Sequence, residues 1–123
     1  MFIVVPDFLD HLRSTFSPDS RVSYDQYFEA VRSAELLVLD DFGEQASTPW
    51  AREKLYQVIN HRYNARLATV ITTSCDAAQL DPRVASRLGD SKTSTFIAIQ
   101  APDYRVDRPA PERPAYRPLR RNM

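Results

Sequence analysis

Apolar residues recur along this chain in two rhythms. Phe2-Ile3-Val4-Val5 is an unbroken β-branched run that predicts a short buried strand. Pro6 and Asp7 then open a helix, since proline suits a first turn and an acid there favours the helix dipole. Phe8, Leu9, Leu12 and Phe16 give that helix one apolar face, and Ser17-Pro18-Asp19-Ser20 breaks it. Ser23 can cap a second helix with Tyr24, Tyr27, Phe28 and Val31 at i, i+3, i+4 and i+7. Leu36 to Asp40 is a run of four large aliphatics, which predicts a strand buried on both faces in the middle of a parallel sheet. Thr48 and Pro49 start the longest helix, with Ala51, Leu55, Val58, Ile59 and Arg62 on one face through to about Asn64. Leu67 to Thr73 predicts the next strand, Asp81-Pro82 a short helix carrying Arg83 and Arg87, and Ser94 to Gln100 a last strand with Phe96, Ile97 and Ile99. Strands alternating with helices imply an α/β fold with parallel strands joined by right-handed crossovers.

Composition narrows the class. The 123 residues make one domain at most, and 43% hydrophobic with 26% charged residues is ordinary for a soluble globular chain. Net charge is zero but unevenly placed: residues 105–123 carry six arginines against Asp107 and Glu112, so an acidic body precedes a basic tail. From about Asp107 four prolines alternate with arginines without apolar periodicity, so an ordered part over residues 1–106 and a disordered or polyproline-like tail over 107–123 are expected. The single cysteine, Cys75, excludes an internal disulfide and points to a reducing compartment. The apolar start is too short, and lacks the basic leader, for a signal peptide. No run approaches the ~20 apolar residues of a membrane span. A cytoplasmic protein without a membrane partner is expected.

The stretch Leu36-Leu37-Val38-Leu39-Asp40-Asp41-Phe42-Gly43 carries the chemistry. A buried strand does not ordinarily end in two adjacent acids, because ionised carboxylates need a partner or water. Parallel α/β sheets place ligands at that end of their strands, and carboxylates there suit Mg²⁺ together with substrate phosphates. The plain alternative is that the acids mark the solvent boundary. Two more polar features fall at or beyond strand ends: Thr72-Thr73-Ser74, then the helix with Arg83 and Arg87. Acids, hydroxyls and an arginine converging at one sheet edge form a set that phosphoryl transfer needs. An arginine pair on a surface helix is by itself merely solvated. The aromatic stripe Tyr24, Tyr27, Phe28, and Trp50, Tyr56 and Tyr63, read as packing. Cys75 reads as an ordinary thiol, and His11 and His61 show no metal-ligand spacing.

The stretch LLVLDDFGEQASTPWAREKLYQVINHRYNARLATVITTS, followed by LDPRVASRLGD, resembles the AAA+ ATPase domain of the DnaC/IstB (DnaI-like) group of bacterial helicase loaders and transposition helpers. The resemblance runs from about Phe2 to Arg105. It implies a three-layer P-loop sheet, with ATP and Mg²⁺ as cofactors. Leu36 to Asp41 matches the Walker B strand, so Asp40 would hold the Mg²⁺ shell and Asp41 would orient or deprotonate the attacking water. Thr73 and Ser74 would face the nucleotide. Ser74 stands where the family has the asparagine of sensor 1, and its reach is shorter. Arg87 matches the arginine finger, which acts in trans and so implies a homo-oligomeric ring or spiral; Arg83, one turn away, is the fallback. Arg105 matches the family without an assignable role. The partners implied are a replicative helicase or transposase complex, and single-stranded DNA through the full-length protein.

One part of the family pattern is missing. The chain has two glycines and two lysines, none in a GxxxxGK[ST] arrangement that would cradle phosphates. In the family that Walker A motif precedes the strand that here begins at Phe2. Its strand lies between those matching 68–73 and 94–99. The chain is therefore expected to start partway through the domain, to leave its last strand without a neighbour, and to be poorly stable or to associate. The function expected is that of an AAA+ fragment coupling ATP binding and hydrolysis to action on a helicase or DNA complex. The alternative is a truncated, non-catalytic module that docks on full-length relatives through the Arg87 face. The arginine-rich tail could also contact nucleic acid by itself, in a salt-dependent way.

Overall fold

A computed structural model describes residues 1–21, 23–43 and 48–106. In chain order it runs β1 (Phe2–Val4), α1 (Val5–Ser14), α2 (Tyr24–Ser33), β2 (Leu36–Asp40), α3 (Pro49–Ala65), β3 (Ala68–Ile71) and α4 (Pro82–Leu88). A 3-10 turn, Ala77–Gln79, precedes α4. The helix starts follow the local chemistry read from the sequence. Ser23 accepts from the Gln26 amide at 3.2 Å, and Thr48 from the Ala51 amide at 3.2 Å. Asp81 accepts from the Arg83 amide at 2.9 Å. Each satisfies an otherwise orphaned amide of a first turn.

The strands form a parallel sheet in the order β1-β2-β3, with Phe2 opposite Val38 and Val38 opposite Val70. The α/β fold class with a parallel sheet is as the alternation of elements predicts. Each crossover steps one strand in the same direction, and right-handed connections then place their helices on a single face. On that face Leu37 and Leu39 are fully buried against Phe8, Leu12, Val31, Leu55 and Val58.

The opposite face differs from expectation. The four-aliphatic run predicts burial on both sides, yet Leu36 is 51% exposed, and Phe2 and Val70 are exposed beside it. Alternate residues of a strand point to opposite faces, and no helix among the described residues covers this one. The predicted strand over Ser94–Gln100 is also corrected. Those residues have no regular structure, and Ile99 is 87% exposed. A strand is held by ladder hydrogen bonds to a neighbour, and among the described residues none pairs with this segment. The Pro/Arg-rich tail over 107–123 lies outside the described residues. No helix among the described residues is long and apolar enough to cross a membrane.

Candidate functional site

The carboxyl ends of β2 and β3 are zipped together beyond the regular ladder. The Thr72 amide donates to the Leu39 carbonyl at 3.0 Å, and the Phe42 amide donates to the Thr72 carbonyl at 2.9 Å. Between these bonds the chain turns sharply. Asp41 has a left-handed backbone with φ 59°, and Gly43 follows with φ 126°. Aspartate tolerates the first conformation; the second suits glycine.

Asp40 and Asp41 are thus presented side by side at the carboxyl end of the middle strand. The Thr72 hydroxyl donates to Asp40 Oδ1 at 2.5 Å and accepts from the Asp41 amide at 3.0 Å. The Thr73 hydroxyl donates to the Phe42 carbonyl at 2.5 Å and accepts from the Cys75 amide at 3.0 Å. Its single proton is therefore committed to the turn. Ser74 follows and is exposed. The structure brings Asp40, Asp41, Thr72 and Thr73 together. Thr72 is the contributor that sequence reasoning did not single out; its place as first member of the Thr-Thr-Ser run was the only available signal.

Gly43 is fixed by sterics as well as by its backbone. A Cβ built there would lie 2.8 Å from Cys75 Sγ. Gly43→Ala is expected to cost about 1–3 kcal/mol, read as a lowered urea midpoint. Adding Cys75→Ala should recover only part, because it clears the contact without relieving the φ. Wild-type stability of Gly43→Ala would contradict this account. A cavity of about 380 Å³ opens beside the turn, lined by Phe42, Gly43, Leu55, Leu80 and Val84, with Arg52 and Asp81 at 3.6 Å from each other. Neither Asp40 nor Asp41 lines it.

The two arginines of α4 are held in different ways, and their hydrogen-bond and ion-pair partners among the described residues do not include Asp40 or Asp41. Arg83 pairs with Asp81 at 3.0 Å and Glu53 at 3.2 Å, and its guanidinium stacks 3.8 Å from the Tyr56 ring centre. The Arg83 hydrogen bond holds the Asp81 carboxyl below its usual range, and the same bond raises Arg83. Arg87 is held by neutral acceptors: Asn60 Oδ1 at 3.0 Å, the Arg83 carbonyl at 2.8 Å and the Tyr56 hydroxyl at 3.1 Å. Among the described residues it has no carboxylate within 4.0 Å, so none of them forms an ion pair with it. That difference favours Arg87 over Arg83 as the cation offered to something outside. Arg105 lies in a turn where its amide donates to Asp103 at 2.8 Å.

The donor set can be tested against Mg²⁺. Among the described residues no group of three or more His, Cys, Asp or Glu could hold a metal. Two adjacent carboxylates nevertheless fit an ion that keeps most of its waters and takes one or two protein carboxylates plus substrate phosphates.

Comparison with known proteins bears on the family. No protein-family model matches the chain. It is 24% identical over 102 residues to the replicative helicase loader DnaC of Buchnera aphidicola subsp. Acyrthosiphon pisum (strain APS), covering 78% of this chain and 42% of that protein. The same figures hold for the proteins of that description from Buchnera aphidicola subsp. Schizaphis graminum (strain Sg) and subsp. Baizongia pistaciae (strain Bp). The chain thus spans less than half the length of these curated relatives. A crystal structure of the DnaC helicase loader superposes with a TM-score of 0.65 at 22% identity, over 80% of this chain and 60% of that one. In sequence this chain is similar to DnaC helicase loaders, and it shares the fold of the DnaC structure.

Proposed function

We propose that the chain supplies the metal-binding and water-orienting half of an ATP-dependent helicase loader of the DnaC type. One observation carries the reading: Asp40 and Asp41 end the middle strand of a parallel sheet on a DnaC-like fold, where open α/β sheets take their ligands. Asp40 would meet Mg²⁺, Asp41 would orient the attacking water, and Thr73 and Ser74 would lie toward the nucleotide. Thr73 could do so only as an acceptor, its proton being spent on Phe42. ATP would need phosphate-binding amides and a lysine from outside these 123 residues, because no GxxxxGK[ST] occurs in them. Arg87 would reach a neighbouring copy's nucleotide. The partners would be a replicative helicase and single-stranded DNA, in the cytoplasm.

The test extends the chain with the codons upstream of Met1 and measures Mg·ATP hydrolysis. Turnover is expected, falling about 100-fold or more in Asp41→Asn, as for loss of a general base. The upstream codons should encode GxxxxGK[ST]. If they do not, or if Asp41→Asn turns over ATP normally, the reading fails. A second reading is favoured by the open sheet face: a non-catalytic module that docks on a full-length relative. Saturable binding to such a relative without turnover would select it.

A further inference from the structure

We propose that Thr72 is the positioning residue of the carboxylate pair, its hydroxyl fixing the Asp40 carboxylate and the Asp41 turn at once. The inference rests on the reading in which Asp40 meets Mg²⁺, and it names the residue on which that site's geometry depends. A hydroxyl has one proton to give and two lone pairs to accept with. Thr72 gives its proton to Asp40 Oδ1 at 2.5 Å and accepts the Asp41 amide at 3.0 Å. Its own amide and carbonyl bond Leu39 and Phe42, so a single residue just beyond the neighbouring strand brackets the two acids on both sides.

Three consequences follow from this arrangement. A hydrogen bond to an ionised acceptor is shorter and stronger than a neutral one, so Oδ1 is held in one direction. The bond leaves Oδ2 and the remaining lone pair of Oδ1 as Asp40's capacity for a cation. The bond to the Asp41 amide supports the left-handed backbone of φ 59° that aspartate tolerates there. Threonine suits the task because its branched Cβ stiffens χ1 and presets the hydroxyl before any ligand arrives. Valine keeps that shape and removes both bonds; serine keeps both bonds and loses the stiffness.

The experiment compares wild type, Thr72→Val, Thr72→Ser and Asp40→Asn by NMR on isotopically labelled chain. Side-chain couplings should show one Asp40 χ1 rotamer in wild type and Thr72→Ser, and averaging in Thr72→Val. Broadening of the Asp40 and Asp41 amides by added Mn²⁺ should require about tenfold more metal in Thr72→Val, the loss typical of an outer partner of a ligand. In Thr72→Ser it should stay within about twofold of wild type. If Thr72→Val does not fold, Thr72→Ala takes its place in the comparison. A single Asp40 rotamer with wild-type Mn²⁺ response in the valine or alanine variant overturns the proposal. If Asp40→Asn keeps the Mn²⁺ response, the metal reading of Asp40 fails, and the rotamer result still decides the role of Thr72.

Discussion

Arg62→Ala is expected to destabilise the chain by about 3–5 kcal/mol, the range for removing one member of a buried polar network. Arg62 is only 1% exposed, and among the described residues its hydrogen-bond acceptors are carbonyls and a hydroxyl. It donates to the carbonyls of Val31 at 3.4 Å, Arg32 at 3.2 Å and Ala34 at 2.6 Å, all at the end of α2. It also reaches the Ala68 carbonyl at 2.8 Å and the Thr69 hydroxyl at 2.9 Å in β3. The last carbonyls of a helix lack intrahelical partners and carry partial negative charge, so a guanidinium there both caps and neutralises. Burial pulls the Arg62 pKa down, but arginine remains charged at any ordinary pH. Lysine cannot substitute, because a compact ammonium does not span from α2 to β3 as the planar fork does. Urea unfolding followed by circular dichroism measures the effect. A loss under 1 kcal/mol in Arg62→Ala would show that these bonds contribute little.

The second large effect concerns the open face of the sheet. The chain is expected to associate with rising concentration, and Leu36→Lys with Val70→Lys should weaken that association about 100-fold while leaving the far-ultraviolet spectrum intact. Leu36 and Val70 are both about half exposed, and Val38, in register with Phe2 and Val70, makes the row across the sheet continuous. Completing the burial of each side chain contributes about 1.5 kcal/mol, so removing two costs about 3 kcal/mol, or two decades of affinity. Sedimentation velocity over a range of concentrations reads the outcome. A monomer at every concentration with a sharp, reversible thermal transition would contradict it.

Local chemistry was the most legible part of the sequence. Ser23, Thr48 and Asp81 cap the helices they were expected to cap, because a cap depends on three or four consecutive residues. The place of Asp40 at a strand end was legible for a similar reason: an apolar run stops where its residues leave the core. Leu36 and Ile99 could not be placed correctly, since an apolar side chain states only that burial is favourable, not whether a covering surface is at hand. Arg62 was assigned to the apolar face of α3, but its five acceptors lie on elements about 30 residues upstream and a few residues downstream, and no local pattern encodes that meeting. Thr72 escaped for the same reason, since its bonds reach across 31 and 32 positions.

The sequential strand order has a kinetic consequence. Every neighbouring pair in this sheet is joined by its own crossover, so no pairing must wait for a distant part of the chain. The three strands and the helices on their covered face can therefore assemble first, with their register already set. Whatever later covers Leu36 and Val70 would meet a finished template. If a second copy of the chain supplies that cover, its arrival is a docking step governed by concentration and encounter rate.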